Sequence, residues 1–342
     1  MLRAPLLALF LSLSALTAAE PRPLIIAHRG ASGYLPEHTL AAKALAYGQG
    51  ADHLEQDVVL SKDGVPVIFH DTHIDTTTDA PKKFPGRQRA DGRFYALDFT
   101  LAELKQLNVT ERFNPKTGKA AFPRRFPVGV GSFSVVTLEE EIQFIQQLNR
   151  STARNVGIYP ELKAPGWHRK EGHDLAGAVL PILRKYGYDA KDSACFVQCF
   201  ELAEIKRLRG ELAWKGKLIM LMGGGESNPL TTDAGLAELA KIVDGIGPPI
   251  GSYVTGKSPA GRKVTDLAAR ARKAGLLSHP YTLRADELPK CVTTVDELLR
   301  VLFDEAKVDG LFTDFPDLCK RSGCDDIASA PLGRDGSPNR PL

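Results

Sequence analysis

Leu24-Ile25-Ile26-Ala27-His28-Arg29-Gly30 is an apolar run that ends in a histidine, and His53-Leu54-Glu55-Gln56-Asp57-Val58-Val59-Leu60 follows one helix length later. The first run reads as a short, fully buried strand. The segment between them, Thr39–Gly48, carries Leu40, Ala44 and Leu45 with alanine at most other positions and closes on glycine, which predicts a helix. Leu54–Leu60 is strand-like again. Ser61-Lys62-Asp63-Gly64 is a turn signal before a further strand pattern, Val65–Phe69.

Working outward, the alternation resumes at Thr137–Leu148, where Thr137 and Glu140 form a capping-box pattern ahead of an amphipathic helix. Strands are then expected at 156–159, 195–200, 218–222, 245–248, 276–281 and 310–313. Helices are expected at 173–186, 202–208, 233–242, 265–274 and 295–305. Strand-then-helix repetition of this count predicts an α/β fold, a (β/α)8 TIM barrel. Residues from about Thr76 to Gly131 break the rhythm. They are rich in Pro, Lys, Arg, Gly and Phe, with one helix expected at Thr100–Leu107. They read as an insertion after the His70 strand, of the kind that walls a binding cleft.

The 342-residue chain is 43% hydrophobic and 25% charged, enough to bury a large core, and its formal charge of +3 gives no reason to expect a nucleic-acid partner. Short basic clusters such as Pro123-Arg124-Arg125, like the other charges of the insertion, read as solvated surface. The N-terminus has the form of a secretory signal over residues 1–19: Arg3, the apolar stretch Leu6–Leu16, then Thr17-Ala18-Ala19. The apolar stretch is too short to span a bilayer. The expectation is an exported, periplasmic protein without a stable membrane anchor, with a barrel over 20–321 and a disordered tail over 322–342. The five cysteines are too few for a disulfide scaffold. Cys195 and Cys199, about 13 Å apart on one strand at ~3.3 Å per residue, cannot bridge each other. Cys319 and Cys324 are spaced so that they can.

In such a barrel, chemistry gathers at the C-terminal ends of strands. His28 follows the first strand, Glu55 and Asp57 lie in the second, Glu161 and Lys163 follow 156–159, and Asp314 follows the last. Glu55 and Asp57, at i and i+2, share one strand face. Two adjacent carboxylates repel unless a cation or protons lie between them. With Glu161 they make an oxygen-rich set suited to Ca²⁺, with Mg²⁺ also compatible, and less suited to Zn²⁺. If the Ser61–Gly64 turn closes a hairpin, His70 falls opposite Glu55 or nearly so. His28 and His70 then flank the cation as an acid–base pair, and Arg29 and Lys163 add positive charge for a phosphate. Singly, each feature is commonplace: a strand-end histidine is more often structural than catalytic. Their combination is what points to chemistry. The remaining histidines, His38 among them, read as structural or supporting.

The stretch from His28 to Thr39 strongly resembles the opening motif of glycerophosphodiester phosphodiesterases. So do Leu54-Glu55-Gln56-Asp57-Val58, Phe69-His70-Asp71, Tyr159-Pro160-Glu161-Leu162-Lys163-Ala164-Pro165, His279-Pro280-Tyr281-Thr282 and Gly310–Pro316, in family order from residue 24 to about 320. The match is most similar to the periplasmic bacterial type, long insertion included. The resemblance implies a phosphodiesterase-type TIM barrel, usually Ca²⁺-dependent. Its substrates would be small glycerophosphodiesters such as glycerophosphocholine and glycerophosphoethanolamine, cleaved to sn-glycerol 3-phosphate and the free alcohol. Carried over by position, His28 and His70 are the catalytic pair, Glu55, Asp57 and Glu161 the metal ligands, and Arg29 and Lys163 the phosphate contacts. A phospholipase C- or D-like enzyme on intact lipid and a binding protein that has lost catalysis are the rival readings, and a homodimer is left open.

Overall fold

The computed structural model describes residues 22–224 and 228–319. The signal sequence expected at 1–19, the tail expected at 322–342 and the Cys319–Cys324 pairing lie outside or partly outside the described residues.

The strands are β1 (Leu24–Ala27), β2 (His53–Leu60), β3 (Pro66–Ile68), β4 (Gly157–Leu162), β5 (Phe196–Cys199), β6 (Lys217–Leu221), β7 (Gly245–Gly247), β8 (Val254–Thr255), β9 (Lys263–Val264), β10 (Leu277–Ser278) and β11 (Gly310–Thr313). Eight of them run parallel in the order β10-β7-β6-β5-β4-β2-β1-β11, with β3 antiparallel on β2. The gap between the end strands is bridged by single backbone bonds: Asp309 N–H to Ser278 O at 2.9 Å, Phe312 N–H to Pro280 O at 2.9 Å and Leu283 N–H to Phe312 O at 2.8 Å. The result is a nearly closed barrel, as the alternation predicted. β8 and β9 form a separate two-stranded ribbon.

Alternation along each strand sorts its side chains. Leu54, Val58 and Leu60 of β2 and Ile158 and Leu162 of β4 join the large core between sheet and helices. Glu55, Asp57, Tyr159 and Glu161 face the barrel interior, where Ile26, Tyr159, Phe196, Ile219 and Phe312 form a second, smaller core. Tyr159 stacks on Phe196 at 5.0 Å and meets the Phe312 edge at 4.9 Å. This plug floors the barrel and leaves its C-terminal mouth for polar groups.

The helices follow the sequence closely where caps are strong. Thr39 accepts the Ala42 N–H ahead of Leu40–Gly48, and Thr137 with Glu140 closes the anticipated capping box ahead of Leu138–Thr152. Other expectations need correction. The strand expected at 276–281 shrinks to Leu277–Ser278, because Pro280 has no N–H to continue a ladder. The helix expected over Thr100–Leu107 is regular only over Leu101–Leu104, since Asn108 turns to exchange bonds with Asp79. A helix at Pro165–Lys170, started by proline at its first turn, was not anticipated. The segment after β3 builds its own core: Phe69, Ile74, Phe94, Phe99, Leu104 and Leu107 pack onto Val59 and Val67.

Beneath the mouth, Lys43 of the first helix is fully buried, ion-paired to Glu141 Oε1 at 2.8 Å, and donates to the Glu55 carbonyl. Gln56 Nε2 donates to the same Glu141 oxygen at 2.8 Å. This polar cross-tie anchors the middle of β2 to two helices.

Candidate active site

The parallel register of β2 and β4 sets Asp57 beside Glu161 and Glu55 beside Tyr159. Ligand oxygens of Glu55, Asp57 and Glu161, all buried, lie within 4.8 Å of one another. The carboxylates are individually braced. Glu55 accepts from Gln198 Nε2 at 3.0 Å and from the Arg29 backbone N–H at 2.9 Å. Asp57 Oδ2 meets His38 Nε2 at 2.8 Å, while Asp57 Oδ1 is buried without a hydrogen-bond partner. Lys163 Nζ lies 2.8 Å from Glu161 and 3.7 Å from Asp57.

Electrostatics shows what this cluster lacks. Burial, with Asp57 beside it, pushes the Glu55 carboxyl well above its usual range. Burial raises Glu161 to about 8, against the pull of Lys163. Burial also opposes ionisation of Asp57, but Lys163 and the His38 hydrogen bond outweigh it and hold that carboxyl well below its usual range. Three inward carboxylates with an orphaned oxygen fit a hard divalent cation, which would displace the protons the buried pair otherwise retains. The residues present therefore fit the metal that the sequence implied.

The two histidines arrive from opposite sides. His28, past β1, places Nδ1 2.6 Å from Asp314 Oδ1 at the end of β11. Its Nε2 points toward Glu55 Oε2 at 3.9 Å. Burial, reinforced by Arg29, lowers His28 to about 4 despite the pull of Asp314. Burial opposes ionisation of Asp314 too, yet His28, Arg125 and Arg284 hold its carboxyl well below its usual range. A neutral ring beside an ionised carboxylate carries its proton on Nδ1, which leaves the Nε2 lone pair facing the cluster. His70 repeats the arrangement with Nδ1 at 2.8 Å from Asp71 Oδ1, and burial lowers its pKa as well.

The hairpin geometry departs by one residue from the spacing argument. Val58 pairs with Ile68 and Phe69 N–H donates to Asp57 O at 3.0 Å, which carries His70 to the level of Gln56 rather than Glu55. β3 is only three residues long, and the chain has left the ladder by His70. His70 nevertheless lines the same cleft of about 410 Å³ as His28, Arg29, Glu55, Glu161 and Lys163. Phe200, Leu221, Tyr281 and Phe312 form its apolar wall. A wider depression of about 540 Å³ on the helix Leu138–Thr152 is lined by Phe144, Gln147, Leu148, Arg150 and Ser151, with no carboxylate or histidine.

A family model described as the glycerophosphoryl diester phosphodiesterase family matches residues 28–318. The chain belongs to that family. It is 42% identical over 328 residues to a glycerophosphodiester phosphodiesterase of Haemophilus influenzae, covering 88% of this chain and 90% of that protein. It is 38% identical to one of Treponema pallidum, covering 86% and 90%. In fold it is similar to an Oleispira antarctica phosphodiesterase solved in complex with the product sn-glycerol-3-phosphate, at TM-score 0.60 and 22% identity over 88% of this chain and 96% of that one.

All seven residues singled out from the sequence, His28, Arg29, Glu55, Asp57, His70, Glu161 and Lys163, meet in one place. Arg29 is there but engaged: its guanidinium bonds Glu37 at 3.0 Å, and its Nε, 3.5 Å from Asp57, has no hydrogen bond. Sequence reasoning missed how the residues behind them are paired. Asp314 was noted at the end of the last strand and Asp71 next to His70, but their hydrogen bonds to His28 and His70 were not foreseen. Gln198 carried the signal of a buried amide on a strand. Arg112 and Arg125 carried none, and the reading of Pro123-Arg124-Arg125 as solvated surface is wrong for Arg125, whose side chain is only 4% exposed. Its guanidinium is held by Asp286 and Asp314, and covered by the Phe122 ring at 3.7 Å.

Proposed function

We propose that this chain hydrolyses glycerophosphodiesters to sn-glycerol 3-phosphate and the free alcohol, with His28 and His70 as the acid–base pair. The observation that carries this is the three-carboxylate cluster flanked by two histidines, each tethered through Nδ1 to its own aspartate. Glu55, Asp57 and Glu161 would hold the divalent cation, Ca²⁺ in preference to Mg²⁺. When bound it supplies positive charge to the phosphoryl oxygens. Lys163 and Arg29 add charge at the same spot and orient the phosphodiester. One histidine, neutral, accepts a proton through Nε2 from the attacking nucleophile, and the other, entering the step doubly protonated, delivers its Nε2 proton to the leaving alcohol oxygen. Asp314 and Asp71 stabilise whichever ring becomes charged.

Action on intact lipid is not favoured, since the similar curated relatives are named for glycerophosphodiesters. The leader-like Leu6–Leu16 and Thr17-Ala18-Ala19 support export to the periplasm. The test is a coupled assay for sn-glycerol 3-phosphate over glycerophosphocholine, glycerophosphoethanolamine and phosphatidylcholine vesicles. Product from the first two and none from vesicles is expected. Product from vesicles alone would overturn the reading.

A further inference from the structure

Each histidine's aspartate has a second oxygen, and in both cases an arginine from the segment between β3 and β4 takes it. Asp314 Oδ1 faces His28, while Asp314 Oδ2 lies 2.8 Å from Arg125 Nη2 and 3.1 Å from Arg284 Nε. Asp71 Oδ1 faces His70, while Asp71 Oδ2 accepts from Arg112 Nη1 at 2.7 Å. Arg112 is itself forked onto Glu37, at 2.9 Å and 2.7 Å, and Glu37 also holds Arg29. Arg125 is forked onto Asp286 at 2.8 Å and 3.0 Å. Both guanidiniums are fixed by bidentate carboxylate pairs before they touch the dyads, and both are largely buried.

We infer that Arg112 and Arg125 are positioning residues: each pins the aspartate that orients one histidine of the pair, so that the insertion completes both acid–base dyads. An aspartate free to rotate would offer its histidine a second orientation and release the Nδ1–H tautomer that keeps Nε2 aimed at the cleft. The arginines are matched to this task because a planar fork fixes direction, which a lysine ammonium does not. The inference rests on the assignment of His28 and His70 above.

The test is steady-state kinetics at saturating Ca²⁺ on glycerophosphocholine for Arg112→Gln, Arg125→Gln and Arg89→Gln. Arg89 also ties the insertion to the barrel, through Glu171 at 3.0 Å, and is forked onto Asp98 within the insertion at 2.8 Å, but touches neither dyad. Arg112→Gln and Arg125→Gln are expected to lower kcat about 10- to 100-fold with KM within about threefold, and Arg89→Gln to leave kcat within about twofold. Long-range ¹⁵N–¹H spectra of the histidine rings should show Nδ1 protonated at both sites in the wild type and a mixture of Nδ1–H and Nε2–H tautomers at His28 in Arg125→Gln. Unchanged kcat in both dyad variants, or an equal loss in Arg89→Gln, overturns the inference. His28→Gln and His70→Gln run alongside: wild-type turnover in those overturns the acid–base assignment itself, whereas their inactivity beside normal Arg variants overturns only the role of the arginines. Should Arg125→Gln not fold, Arg112→Gln on the more exposed dyad decides.

Discussion

Removing the cation should make both metal affinity and stability depend on pH in a predictable sense. With ligand oxygens of Glu55, Asp57 and Glu161 within 4.8 Å of one another, each ionised pair repels by about 3.5 kcal/mol at an effective dielectric of ~20. Full ionisation of all three would cost about 10 kcal/mol, offset in part by Lys163, Arg29 and the His38 hydrogen bond to Asp57. The cation-free cluster therefore keeps a proton, consistent with Glu161 being raised to about 8. Binding Ca²⁺ at pH 7 should release at least about one proton, and affinity should weaken about tenfold per pH unit below 8. A carboxyl whose folded pKa lies above its unfolded one contributes stability below the unfolded value and loses it as pH rises through the folded one. The chelated protein should thus lose stability between about pH 4.5 and 8, by at most about 5 kcal/mol from Glu161. The Ca²⁺-loaded protein should not. Calorimetric titration of Ca²⁺ in two buffers of different ionisation enthalpy, with melting curves from pH 5 to 8, measures both. A binding enthalpy independent of buffer would refute the reasoning.

His28→Ala and His70→Ala should each lower kcat about 10²- to 10⁴-fold while substrate affinity by calorimetry stays near wild type; near wild-type rates in either would remove that histidine from the mechanism. Glu141→Gln leaves the fully buried Lys43 ammonium without its counter-charge and should cost about 3–5 kcal/mol in urea unfolding; a loss below about 1 kcal/mol would show that the pair is not a structural tie. Gly30→Ala should destabilise by about 1–3 kcal/mol, because Gly30 has φ +86° and an added Cβ would lie 2.8 Å from the Ala42 carbonyl carbon; an unchanged melting temperature would contradict this.

The barrel was legible because its strands are short apolar runs that alternate with capped helices, as at Thr39 and Thr137. His28, Glu55, Asp57, His70 and Glu161 were legible because polar residues at strand ends have no packing reason to be there. What the sequence hid depends on tertiary partners. Lys43 sits in an alanine-rich helix, and nothing local says that its charge turns inward to Glu141. Arg112 and Arg125 lie in an aperiodic, basic stretch, where only the path of the folded chain brings them to Asp71 and Asp314. The exact level of His70 was hidden because the β3 ladder ends before it, at Ile68.

The most direct test of the central claim is release of sn-glycerol 3-phosphate from glycerophosphocholine by the purified protein, assayed as prepared, with excess chelator, and after Ca²⁺ is restored. Turnover that stops with chelator and returns with Ca²⁺, and that is lost in Glu161→Gln, is the predicted result. Turnover that persists in chelator and in Glu161→Gln, or no product under any condition, would contradict it.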